Sequence, residues 1–92
     1  MQLTHQDDVL FLKGDATVSS ITREDLRLLE QACKQSTQIV DLSGLDKVDS
    51  TCVALLIAIK RSLGNQAWQL RSVPAAVSAL LELYELEWLA WT

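Results

Sequence analysis

Ile39-Val40-Asp41-Leu42-Ser43-Gly44-Leu45-Asp46-Lys47-Val48-Asp49-Ser50-Thr51-Cys52-Val53-Ala54-Leu55-Leu56 changes its character once along its length. Residues 38–42 are β-rich and apolar enough for a central strand, and Ser43-Gly44 is the signal that stops it. Asp49-Ser50-Thr51 then offers three capping side chains at the mouth of an apolar run that reaches Leu63 and halts at Gly64-Asn65. A buried strand, a short polar loop and a capped helix make half of an α/β unit. Asp41 is out of place in an apolar strand, since carboxylates are seldom buried without partners. It is expected to accept N–H groups from the loop that follows.

Toward the N-terminus, Val9-Leu10-Phe11-Leu12-Lys13 reads as a strand closing in a turn at Gly14, with a short strand at 3–6 paired to it across Gln6-Asp7-Asp8. Thr22 is an N-cap for a helix over 23–34, with Asp25 in the first turn where acids are favourable. Leu26, Leu29, Ala32 and Cys33 recur at helical spacing on its inner face. Toward the C-terminus, residues 67–73 form a strand with Trp68 in the core. Pro74 suits the first turn of a third helix, which carries Val77, Leu80, Leu81 and Tyr84 on one face. The order β-β-α-β-α-β-α predicts a small α/β sandwich, a mixed sheet of about four strands with helices packed on it, and residues 1–92 form one domain. Trp88 and Trp91 either seal the open end of the sheet or make a second contact surface.

The second helix carries the functional signal. At about 100° per residue, Cys52, Leu55, Leu56, Ile59 and Leu63 fall on the core side. The opposite side then shows Ser50, Val53, Ala54, Ile57 and Arg61, with Lys60 at its edge. A surface helix ordinarily places charges there. This one presents an apolar strip bracketed by a hydroxyl and two bases, the kind of surface a helix-docking partner covers. Arg61 is placed to hold a carboxylate of that partner.

Composition excludes several classes. Hydrophobic residues make up 49% of the chain and charged residues 22%, a globular balance rather than a disordered one. A net charge of −4 with scattered bases argues against nucleic acid and against an anionic membrane surface. The first residues lack the basic start and apolar run of a secretory signal, and Cys52 to Ile59 is too short an apolar stretch to span a bilayer. Cys33 and Cys52 have no C-x-x-C spacing and read as buried thiols in a reducing compartment. There is no Gly-rich phosphate loop. His5 alone offers neither a multi-histidine metal site nor a catalytic relay and reads as a surface residue. No acidic pair has the apolar setting that raises a catalytic pKa. The expectation is a protein that is not an enzyme and holds no metal or cofactor. Asp15, after Gly14, reads as a solvated turn residue.

Val40 to Leu56 resembles the STAS family, the anti-sigma factor antagonists and their relatives in transporters. In that family a strand, a loop and an Asp followed by Ser or Thr open an apolar helix. Lys13-Gly14-Asp15 falls where the family turns after its second strand, and the element order agrees. Within the family the chain looks most like the STAS subunits of Mla phospholipid-transport ABC systems, on the pattern from Asp49 to Leu56, the Gly14-Asp15 turn and the short length. It departs from many members in having Thr51 and Cys52 where they carry Gly. The resemblance implies a non-catalytic accessory subunit, cytoplasmic and held at the inner face of the membrane through its partner. That partner would be the ATPase subunit of the ABC transporter, contacted through Asp49, Ser50, Thr51, Val53, Ala54, Ile57 and Arg61. Ser50 and Thr51 are expected as N-cap residues in addition. The alternative is an anti-sigma factor antagonist in which a kinase phosphorylates Ser50 or Thr51, an off switch that puts about two negative charges into an apolar interface.

Overall fold

The computed structural model describes residues 1–86. Four strands and three helices follow the expected order: β1 (Gln2–Gln6), β2 (Val9–Ala16), α1 (Arg23–Cys33), β3 (Ile39–Val48), α2 (Ser50–Leu63), β4 (Gln69–Arg71) and α3 (Ala75–Leu83). The strands lie side by side as β1-β2-β3-β4. β1 and β2 are an antiparallel hairpin, whereas β2–β3 and β3–β4 are parallel and need α1 and α2 as crossovers. The hairpin turn is the two residues Asp7-Asp8, both at positive φ, a conformation that Asp tolerates better than most residues.

Leu10, Val40 and Leu70 are register partners across three strands, and all are buried. With Leu12 and Leu42 they form the sheet side of one core, closed by Leu29, Leu56, Ile59, Val77 and Leu81 from the helices. Burying each such side chain contributes roughly 1.5–3 kcal/mol. The other face carries Phe11, Asp41 and Arg71 in register. Arg71 Nε donates to Asp41 Oδ2 at 2.7 Å, and its guanidinium lies 5.8 Å from the Phe11 ring centre.

Several expectations need correction. Gly14 does not end β2, and Ser43-Gly44 does not end β3. Both glycines are inside strands, and the pairing continues to Ala16 and Val48. Between the pairs Phe11↔Asp41 and Lys13↔Gly44, β2 advances two residues and β3 three. The same happens between Gly14↔Leu45 and Ala16↔Val48. β3 therefore bulges twice, and bulges are where a strand accommodates glycine. Gly14 has a φ of +89°, and a Cβ on Gly44 would lie 2.6 Å from Lys13 Cγ. Each bulge leaves a backbone N–H outside the ladder, and an aspartate accepts it. Ser43 N donates to Asp41 Oδ1 at 2.8 Å, and Lys47 N donates to Asp15 Oδ1 at 3.2 Å. Asp15 is thus a bulge partner within β2 rather than a solvated turn residue.

Leu26, expected inside, is 41% exposed, and Tyr84 is half exposed at the end of α3. β4 is only three residues long, and Trp68 is buried just before it. His5 is half-buried, its Nε2 within 3.0 Å of Thr37 Oγ1. The roles expected for Trp88 and Trp91 lie outside the described residues.

Candidate functional site

Because β3 runs through both bulges, no loop separates it from α2. Val48 ends the strand, Asp49 is the N-cap in an extended conformation, and Ser50 is already helical. Asp49 Oδ1 accepts the Thr51 amide at 2.8 Å. Its other oxygen, Oδ2, accepts the Val18 amide at 3.0 Å. One carboxylate therefore caps α2 and fastens to it the loop that follows β2. The two amides hold the Asp49 carboxyl below its usual range. The helix-capping role expected of Ser50 and Thr51 belongs to Asp49 instead, because those two residues occupy the first turn, past the cap.

The loop over residues 17–20 is tied down by its own side chains. Ser20 Oγ accepts the Thr17 amide at 2.9 Å and lies 2.9 Å from the Asp15 carbonyl oxygen. Val18 stands on this loop with 78% of its surface exposed, the highest value among the exposed large hydrophobic residues. Sequence reasoning missed it. A lone Val between Thr17 and Ser19 carries no periodic signal, and its tie to Asp49 spans 31 positions.

The wheel drawn for α2 holds on its core side, where Cys52, Leu55, Leu56, Ile59 and Leu63 are all buried. On the outward side Ser50, Ala54 and Arg61 are exposed, Thr51 and Ile57 are half-buried, and Val53 is buried at 5% exposure. The outward placement of Val53 is therefore wrong. It lies about 100° from Cys52, on the same flank of the helix as Lys60. Leu86, just past α3, approaches that flank and lines an open cavity of about 460 Å³ together with Ile57, Lys60 and Arg61. What remains of the strip is Ser50, Ala54, Ile57 and Arg61, and the loop that carries Val18 is tied to the N-cap of the same helix through Asp49.

The strip's charge is one-sided. α2 contains Lys60 and Arg61 in its last turn and no acidic residue, in a chain whose net charge is −4. Arg61 has no acceptor among the described residues. Asp49 stands at the other end, but its two oxygens are occupied by amides.

Cys52 and Cys33 are free and buried. Burial, helped by the Asp49 charge, pushes the Cys52 thiol up to about 11; burial and Glu30 raise that of Cys33. A thiol raised in this way is a poor nucleophile at neutral pH. Burial alone would raise the Asp41 carboxyl, but the Ser43 hydroxyl and amide and the Arg71 guanidinium outweigh it, and the net shift is downward. No group of three or more His, Cys, Asp or Glu side chains is placed to hold a metal among the described residues. No helix among them is long and apolar enough to cross a membrane.

A family model described as "Mlab, STAS domain" matches residues 1–90. No curated protein matches the chain.

Proposed function

The chain belongs to the STAS domain family, MlaB-like, and from that premise we propose that it is a non-catalytic accessory subunit docking on the ATPase of an Mla-type phospholipid-transport ABC complex. A small regulatory or accessory domain is what the family suggests. The partner is the further step, and one observation supports it most: the outward face of α2 carries exposed Ser50 and Ala54 and half-buried Ile57 and ends in exposed Arg61, with no acid on the helix.

In this reading Ser50, Thr51, Ala54 and Ile57 meet the ATPase, and Arg61 holds a carboxylate at the rim. Asp49 shapes the surface rather than touching the partner. Val53 is buried and takes no part in the contact. The subunit is cytoplasmic and reaches the membrane only through the complex. It changes the ATPase's behaviour only if it binds two of that protein's conformations unequally, since equal binding shifts no equilibrium.

Co-purification and titration calorimetry with the ATPase subunit test the proposal. Binding that is lost in Ile57→Asp, with the fold intact by circular dichroism, supports it; an Ile57→Asp protein that binds as well as wild type overturns it. The second reading is an anti-sigma factor antagonist, favoured by the exposure of Ser50 in the first turn of α2. Incubation with an anti-sigma kinase and ATP would then add one phosphate, about 80 mass units, at Ser50 or Thr51. The accessory-subunit reading predicts no added mass.

A further inference from the structure

We infer that two copies of this chain pair edge to edge through β1, antiparallel and centred on Thr4, joining two four-stranded sheets into one. β1 is an outer strand, and nothing in this pairing depends on the docking role proposed for α2. All five of its residues pair with β2, without a bulge. The two-residue turn at Asp7-Asp8 makes Gln6 and Val9 a hydrogen-bonded pair, so Gln2, Thr4 and Gln6 turn their backbone groups toward β2. Leu3 and His5 then direct N–H and C=O outward, and these backbone groups have no partner among the described residues. Sheet edges are ordinarily blunted by charge, proline or shortness. β4, at the other edge, is three residues long and contains Arg71, with Ser72 at positive φ after it and Pro74 beyond. Gln2-Leu3-Thr4-His5-Gln6 has no proline and no Asp, Glu, Lys or Arg.

A second copy is the occupant because the edge is complementary to itself. About a two-fold axis through Thr4, Leu3 of one copy faces His5 of the other, and each such pair exchanges both of its hydrogen bonds. Thr4 faces Thr4 and Gln2 faces Gln6, so no like charges are opposed. Only this register uses both outward residues of each copy. The surface beneath the strand has the same character. Leu28, 40% exposed on α1, lines with Leu3, His5, Gln31, Ala32 and Gln35 an open cavity of about 280 Å³, and none of these is Asp, Glu, Lys or Arg. In a chain with 22% charged residues that is a neutral patch, the composition found at the core of an interface. The axis stands perpendicular to the sheet, so both copies of α1 lie on the same side and Leu28 is brought toward its counterpart. The short, interrupted edge at β4 gives a third copy nowhere to add, and pairing closes at a dimer.

Sedimentation equilibrium of the full chain is expected to show reversible dimerisation, from 10.2 kDa to twice that mass, with a dissociation constant of about 10–500 μM, as suits a small interface. Thr4→Lys and Thr4→Glu each set like charges across the axis and should weaken the dimer by about tenfold or more. Their melting temperatures should stay within a few degrees of wild type, because Thr4 is exposed. Mixed in equal amounts, the two variants should recover a heterodimer. Gln69→Lys, on β4, should bind its copy within about twofold of wild type. Cross-linking reads the register. Under mild oxidation Thr4→Cys should form a disulfide-linked dimer, since a non-hydrogen-bonded pair sets Cα atoms about 4.5 Å apart, whereas Gln6→Cys, facing Gln2, should not. Cys33 and Cys52 are buried and stay out of this reaction. A chain that is monomeric up to about 0.5 mM overturns the inference and leaves the edge to a strand of another protein. A dimer that Thr4→Lys does not weaken, or that Gln6→Cys cross-links as fast as Thr4→Cys, overturns it as well, because the contact then lies elsewhere.

Discussion

Val18 and Asp49, 31 positions apart, are joined by a hydrogen bond from the Val18 amide to Asp49 Oδ2 at 3.0 Å. The same carboxylate caps α2 through the Thr51 amide. Removing it should therefore release two elements. Asp49→Ala is expected to cost about 1–2 kcal/mol in urea unfolding, the usual loss for an N-cap. Asp49→Ser restores a capping oxygen without the second acceptor. It should recover most of that stability while the amide of Val18 still exchanges with deuterium faster than in wild type. Equal exchange at Val18 in all three proteins would mean the loop is held by Ser20 alone.

Two carboxylates, Asp41 and Asp49, are held below their ordinary pKa in the folded chain. A group depressed on folding contributes stability that is fully present above its unfolded value, about 3.9, and is lost as pH falls through the folded value. The melting temperature should be level from pH 7 to about 5 and fall below about pH 4. Asp41→Asn should melt lower at pH 7, because it loses charge-assisted bonds to Ser43 and Arg71 worth about 1.5–3 kcal/mol together, and its curve should be shallower in acid. A wild-type melting temperature unchanged down to pH 3 would contradict this.

Val53 and Ala54 are neighbours in sequence with opposite surroundings, one buried and one exposed. Val53→Ala removes two buried methyl groups and should destabilise by about 2 kcal/mol, counting transfer and the cavity left behind. Ala54→Ser should change stability by less than about 0.5 kcal/mol. Chemical denaturation of the two variants separates a structural side chain from a surface one. A Val53→Ala protein as stable as wild type would return Val53 to the outward strip.

The element order, the core side of α2 and the cap at Thr22 could be read from residue types, because periodicity and capping are local. Thr22 caps α1 as expected, and Asp25 goes further than its favourable charge by accepting the Thr22 amide in a capping box. What could not be read depends on strand partners. Gly14 and Gly44 look like stops, yet parallel pairing carries both strands past them, and only the register reveals the bulges. Asp15, Asp41 and Asp49 look like turn and cap residues, and each takes a backbone N–H that a bulge or loop elsewhere sets free. Val53 was misplaced because a helical wheel does not say how far round a neighbouring element reaches. Val18 had no signal in the sequence at all.

Gly44 should resist substitution for a reason visible only in the register. A Cβ there would meet Lys13 Cγ at 2.6 Å and the Leu12 carbonyl oxygen at 3.2 Å. Gly44→Ala is expected to cost about 1–3 kcal/mol, the range for overpacking. Adding Lys13→Ala removes the nearer contact and leaves the carbonyl, so the double variant should recover part of the loss. A double-mutant cycle showing strict additivity would place the cost in the backbone rather than in the side chain of Lys13.

Ser50 offers the cleanest separation of contact from structure. It is exposed, follows the N-cap, and is not the residue that satisfies the Thr51 amide. Ser50→Ala should leave stability within about 0.5 kcal/mol of wild type, whereas a capping serine replaced by alanine costs about 1 kcal/mol. Ser50→Glu, mimicking a charge in the first turn of α2, is favourable to the helix dipole and should not unfold the chain. It would nevertheless place a carboxylate in the apolar strip beside Ala54. If the strip is an interface, Ser50→Glu should weaken ATPase binding at least tenfold while Ser50→Ala changes it little; equal binding by both would show that the partner does not cover the first turn of α2.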